Sequence, residues 1–205
     1  MRRVLKRAAL CIAIILVSPF ILFTMFGRLI GKESPAFVIA SQGLSILPGL
    51  PGDYLRRAYY MYTLKCVGRD AVISFGSIFS KSSAELGDYV IIGEYCVVGN
   101  VRLGDHVLVA SRVSLMSGKY QHGSALVPTP DCPFRWINIG SRTWIGEGAI
   151  VAADVGADCI VAAGSVVMRD IPDGYMAAGN PAKLIRMGVV DSAEQTNTET
   201  DPTCS

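Results

Sequence analysis

Only two histidines occur in the 205 residues, His106 and His122, and their surroundings differ. His122 closes the stretch Ser117-Gly118-Lys119-Tyr120-Gln121-His122, inside an 18-residue segment, Lys119–Trp136, that has no periodicity of its own. Long aperiodic loops are usually functional or disordered. An imidazole with an unperturbed pKa of about 6.5 keeps a usable neutral fraction near pH 7, so a histidine held in such a loop can take up and return a proton. A surface histidine without a role is the plainer alternative. For His106, in Leu103-Gly104-Asp105-His106, that plainer reading is preferred, because its position in the pattern should face solvent. The six cysteines (Cys11, Cys66, Cys96, Cys132, Cys159, Cys204) show no Cys-x-x-Cys pair and no Cys/His zinc spacing, which favours free thiols. No G-x-x-x-x-G-K-[ST] or G-x-G-x-x-G joins a strand to a helix, and no G-x-S-x-G elbow occurs. Catalytic zinc usually needs three protein ligands and an open position, more than two scattered histidines supply, so no metal is expected.

The element that must carry the loop is a repeat. Small aliphatic residues followed by Gly or Ala recur every six positions: Leu86-Gly87, Ile92-Gly93, Val98-Gly99, then Leu103-Gly104, one residue early, and Val109-Ala110. The phase resumes at Ile139-Gly140, Ile145-Gly146 and Val151-Ala152, continues with Val155-Gly156, two residues short, and runs through Val161-Ala162 to Val167. Neither a helical period nor strict alternation explains this, whereas a six-residue step is the signature of a β-helix. Each aliphatic residue should point into a triangular prism, with Gly, Ala or Asn at tight corners that bulky residues cannot occupy. Val72–Val167 without the loop gives just over four coils at about 18 residues each, enough for a stacked core. Flat faces and open ends need cover, so an end helix and self-association along a face are expected.

The front of the chain is different. Residues 1–70 hold ten Lys/Arg against three Asp/Glu, residues 71–188 nine against ten, and the tail none against four. Ala8–Phe26 is a 19-residue run without a charge, preceded by Arg2, Arg3, Lys6 and Arg7. As a helix it reaches about 28 Å, close to a hydrocarbon core of about 30 Å. A basic, apolar front predicts membrane association through residues 1–70 and no nucleic-acid partner. A cleaved signal peptide fits poorly, since its apolar region is shorter. Two topologies are open: a single pass, or a re-entrant helix broken at Ser18-Pro19, where proline removes a helix hydrogen bond. Pro51–Leu64 predicts a short helix at the headgroup boundary or over the end of the next domain. The expected divisions are 1–33 membrane helix, 34–71 interfacial or capping segment, 72–188 β-helix with loop 119–136, and 189–205 disordered tail.

Residues Ile139-Gly140-Ser141-Arg142-Thr143-Trp144-Ile145-Gly146, Ala163-Gly164-Ser165-Val166-Val167, Ile171-Pro172 and Ala178-Gly179-Asn180-Pro181-Ala182-Lys183 resemble the left-handed hexapeptide-repeat acyltransferases. Within that family, Pro51–Ser80 is similar to membrane-associated polysaccharide and lipopolysaccharide O-acetyltransferases. The resemblance covers residues 72–188 and implies an all-β left-handed parallel β-helix, here with an N-terminal membrane helix and a short C-terminal helix. It also implies a homotrimer using acetyl-CoA as co-substrate. A loop histidine serves that family as general base, which assigns the role to His122, although many members place it directly after the loop's first Gly, where this chain has Lys119. Lys119, Tyr120 and Gln121 become candidate acceptor contacts. Along the inter-subunit groove the coenzyme would meet Trp144 and the small residues Ala152, Ala162, Ala163 and Gly164, whose corners would allow approach to backbone N–H groups. Lys183 and Arg186 would meet its phosphates from a terminal helix.

Because acetyl-CoA is cytoplasmic, the re-entrant topology is favoured, with the body on the cytoplasmic face of a bacterial inner membrane. The activity implied is O-acetylation of a membrane-linked sugar in envelope or exopolysaccharide assembly. The alternatives are a non-catalytic trimeric scaffold for glycan assembly and an amino-sugar N-acetyltransferase.

Overall fold

The structure, a computed structural model, describes residues 2–31, 33–117 and 136–186. Three helices come first: α1 (Arg2–Leu29), α2 (Glu33–Ser45) and α3 (Gly49–Thr63). From Cys66, six residues ahead of the expected start, the chain winds through short parallel strands that fall into three sheets. The result is a left-handed parallel β-helix of about five coils.

The six-residue step appears as three inward ladders. The first face stacks Leu86, Leu103, Ile139, Val155 and Ile171. The second stacks Ile73, Ile92, Val109, Ile145, Val161 and Ala177. Phe79, Val98, Leu115, Val151 and Val167 fill the third. All these side chains are buried, which is why the period is so regular.

The corners follow the expected rule only in part. Glycine takes some left-handed positions, as at Gly148 and Gly164 with φ of 68° and 66°, but bulkier residues take others: Tyr89, His106, Arg142 and Asp158 have φ of 57°, 59°, 59° and 54°. Polar side chains such as Asp and His tolerate this region better than most, and at an exposed corner nothing crowds them. Glycine is needed two residues earlier, where one coil's backbone presses on the next. A Cβ on Gly140 would stand 2.3 Å from Ala157 N and 2.5 Å from Gly156 C. Gly140→Val should therefore force coils apart and cost about 1–3 kcal/mol or more. A thermal melt of the purified chain would register this, whereas Arg142→Lys at the neighbouring corner should shift it little.

The helices close the first end of the prism. Tyr59 and Tyr60 of α3 lie edge to face, and Tyr60 meets Phe79 of the first coil with ring centroids 4.7 Å apart. Ser41 of α2 shares a hydrogen bond of 2.7 Å with the Tyr60 hydroxyl and accepts one from the Phe79 N–H. Burial raises the Tyr60 phenol far above its ordinary pKa, so it is neutral at every physiological pH. In α1, Ala13, Val17 and Thr24 are buried, with Thr24 bonded to the Tyr59 hydroxyl at 2.8 Å. This stripe at helical spacing packs α1 against α2 and α3. Its other face is apolar and exposed, as at Ile15, Leu16 and Leu22.

Two expectations are corrected. The break at Ser18-Pro19 that a re-entrant helix requires is absent, since α1 runs through Pro19. Proline leaves the Ile15 carbonyl without its helix donor, and the Ser18 hydroxyl supplies one at 2.8 Å. At the other end no short helix follows the last coil within the described residues. Lys183–Arg186 is instead a strand paired antiparallel with Tyr175–Ala178, Ala178 opposite Lys183 and Tyr175 opposite Arg186.

Candidate active site

The chain leaves the prism at Ser117 and re-enters at Trp136, at the corner between third and first faces. The sequence candidates Lys119, Tyr120, Gln121 and His122 lie outside the described residues. Their roots are described. Ser117 is buried, and its hydroxyl accepts the Asn100 N–H at 3.0 Å. Trp136 packs under two cations, with Arg102 4.2 Å and Lys65 5.6 Å from the ring centroid. Glu85 joins them, its carboxylate 2.6 Å from Lys65 Nζ and 3.4 Å from Arg102 Nε. The Lys65 hydrogen bond draws the Glu85 carboxyl below the usual range, opposed by partial desolvation and aided by Arg102. That pairing therefore persists at neutral pH and is lost only on acidification through the lowered pKa. A guanidinium over an indole fixes where the loop returns. Sequence reading missed this anchor because its parts come from four successive rungs of the first face and share no local spacing.

The remaining candidates lie elsewhere on the prism. Trp144 projects outward from the second face, between Leu108 and Ile160. That face lies across the prism from the corner where the loop is rooted. Ala163 and Gly164 are exposed at the corner between second and third faces, with Ala162 half-buried beside them. Lys183 and Arg186 are exposed on the final strand, which extends the second face. Ala152 stands in the loop's own corner but is buried. The N–H groups of Ala152, Ala162 and Gly164 donate to the Val167, Ala177 and Glu147 carbonyls at 2.9, 2.9 and 2.8 Å, which engages three of the four backbone donors expected there. The described candidates, Ala152 excepted, thus lie away from the corner where the segment bearing His122 is rooted.

The outward surfaces differ in character. The first face presents Glu85, Arg102 and Asn138. The second presents Ile91, Leu108, Trp144 and Ile160 in an unbroken apolar column, and the third Val97, Ser114 and Ile150. Leu108 and Trp144 are each 41% exposed in the single chain. Contiguous apolar surface of this kind marks an interaction face. His106 is exposed at a corner and stacks on Tyr89, ring centroids 4.9 Å apart and 14° from parallel. Along the same edge Arg69 holds the Asp88 carboxyl below its usual range by hydrogen bonding. Arg142 does the same to Asp158. These exposed pairs tie neighbouring coils weakly. Among the described residues no three His, Cys, Asp or Glu side chains converge as a metal group.

Fold and loop together define a hexapeptide-type β-helix with one inserted segment, and the chain resembles the hexapeptide-repeat acyltransferases. It is 32% identical over 123 residues to the Escherichia coli K12 protein assigned to lipopolysaccharide biosynthesis as the O-acetyl transferase WbbJ, covering 54% of this chain and 61% of that one. To the galactoside O-acetyltransferase of the same strain it is 32% identical over 98 residues, 47% of this chain and 46% of that one. A solved maltose O-acetyltransferase from Clostridium difficile 630 matches with a TM-score of 0.55 at 21% identity, over 76% of this chain and 88% of that chain, a likeness of fold. No protein-family model matches the chain. The chain spans less than two thirds of the length of either curated relative.

Proposed function

We propose that the chain is an acyl-CoA-dependent acetyltransferase. It moves an acetyl group from acetyl-CoA to a hydroxyl of a membrane-linked sugar in envelope or exopolysaccharide biosynthesis, with His122 as general base. The observation that carries this reading is the division of the site: the loop bearing His122 is rooted at one corner, while Trp144, Ala163 and Gly164 lie around the far side. A homotrimer reconciles the two, each loop reaching the second face of a neighbour. The apolar outward column of the second face supports that assembly. The names of the relatives, an O-acetyl transferase of lipopolysaccharide biosynthesis and a galactoside O-acetyltransferase, support transfer to a sugar hydroxyl.

In this reading the His122 imidazole takes the proton of the acceptor hydroxyl as its oxygen attacks the thioester carbonyl. The carbon–sulfur bond then breaks, and the imidazolium returns the proton to the departing thiolate, leaving a sugar ester and free CoA. Lys183 and Arg186, exposed on the final strand, face the coenzyme phosphates. The exposed apolar face of α1 rests in the bilayer, its covered stripe on α2 and α3, with the prism on the cytoplasmic side of the inner membrane, where acetyl-CoA is at hand. Fixing enzyme and acceptor on one surface raises their effective concentration.

Incubating the full chain with acetyl-CoA and extracted lipid-linked glycans should release free CoA and leave an acetyl group that mild alkali removes. An alkali-stable acetyl group would be an amide and would establish amino-sugar N-acetylation instead. Absence of any CoA binding would favour a scaffold.

A further inference from the structure

Two adjoining cavities follow the seam between α1 and the start of α3. The larger, about 330 Å³, is walled by Ala9, Ile12 and Leu16 of α1 against Leu50, Pro51 and Leu55. Leu50 and Tyr54 also line the second, about 210 Å³, whose other walls include Lys6, Asp53, Arg57 and Asp70. An apolar trough thus runs into a charged end. Both carboxylates there are engaged: Asp53 accepts from Arg56 at 2.6 Å and Asp70 from Arg57 Nη1 at 3.2 Å. The cations are not matched in the same way. Arg57 Nε is buried with no hydrogen-bond partner, and Lys6 has no acidic partner among the described residues. A buried guanidinium N–H without an acceptor is costly, so this end is short of one anionic oxygen.

We propose that the seam binds a phosphate-bearing membrane lipid, its chain in the trough and its phosphate against Lys6 and Arg57 Nε. Charge complementarity fixes the headgroup as an anion, and continuity of the trough with the exposed apolar face of α1 fixes the source as the bilayer. The inference rests on the acceptor being membrane-linked and makes this lipid the part of the acceptor that the enzyme holds. Charge-assisted hydrogen bonds to phosphate are the strong kind, which leaves the apolar chain to add reach and selectivity.

The test uses the full chain in detergent, with retention of three probes measured by native mass spectrometry: dodecyl phosphate, dodecanol and inorganic phosphate. Dodecyl phosphate should be retained, dodecanol more weakly, and inorganic phosphate not detectably. Lys6→Gln and Arg57→Gln should each lower dodecyl phosphate retention about tenfold or more while leaving dodecanol unchanged. Ala9→Phe, which narrows the trough, should lower both. Lys6 is exposed, so its substitution keeps the test valid if the Arg57 variant unfolds. Equal retention of dodecyl phosphate by wild type and Lys6→Gln would overturn the inference, as would tight binding of inorganic phosphate alone. No probe turns over, so failure here is separable from failure of the acetyl-transfer reading, which is measured by CoA release.

Discussion

His122→Ala should lower kcat for CoA release by about 10²–10⁴, the usual contribution of a positioned general base. The melting profile and the oligomeric state should be unchanged, because the substitution lies in the loop and not in any of the three inward ladders. In the wild type the rate should fall as pH drops through the imidazole range, since the protonated ring cannot accept the hydroxyl proton. The variant should lose that acid limb. Steady-state CoA release between pH 5 and pH 9 checks both outcomes at once. A kcat within threefold of wild type would move the base elsewhere. A matching loss in the melt would make the residue structural.

The second large effect concerns Arg56. Its side chain is fully buried where α3 crosses the end of α2, donating to the carbonyls of Leu47 at 2.6 Å, Ile73 at 2.8 Å and Leu44 at 3.2 Å, and to Asp53 at 2.6 Å. It satisfies the last carbonyls of α2 and ties them to the first coil, work that an N–H ladder cannot do where a helix ends. Arg56→Ala leaves those acceptors and a carboxylate without a partner, which should cost about 3–5 kcal/mol. At roughly 2–4 °C per kcal/mol for a chain of this size, the melting temperature should fall by about 6–20 °C. Arg56→Lys should recover only part, having one point charge in place of a fork. Loss of less than about 1 kcal/mol in a chemical denaturation series would show that the helical cap and the prism are not coupled through this residue.

Much of the prism could be read from the sequence because each inward position repeats with one neighbour above and one below. Leu86 and Leu103 stack face to face, so the hexad is itself the packing rule. The corners misled for a physical reason. The glycine at position 140 marks a close approach between coils, while the left-handed turn falls on Arg142, two residues on, where an exposed side chain is tolerated. Pro19 left a break or a continuous span open; α1 is helical through it, and the Ser18 hydroxyl donates to the Ile15 carbonyl that proline cannot serve. Lys183–Arg186 is too short for any period to separate helix from strand, and its pairing with Tyr175–Ala178 decided the matter.

The site was legible only in part. A loop histidine stands out in a sequence with two, but which surfaces it can meet depends on the prism's three-sidedness. Trp144 and the root at Trp136 are eight residues apart in sequence, yet one projects from the second face and the other lies at the corner opposite. The Lys65, Glu85, Arg102 and Trp136 cluster draws on residues 71 positions apart, beyond any sequence window. Arg57 likewise reads as an ordinary helix cation until the fold buries its Nε beside the α1 seam.

The central claim is that coenzyme and imidazole meet between chains. A structure of the full chain with CoA, obtained at neutral pH in detergent, tests it most directly. The account predicts three copies about one axis, the pantetheine arm along the second face near Trp144, and the His122 ring of the adjacent copy within hydrogen-bond reach of the sulfur. A monomer with CoA bound on one chain alone, or a trimer whose His122 rings point away from every crevice, would contradict it.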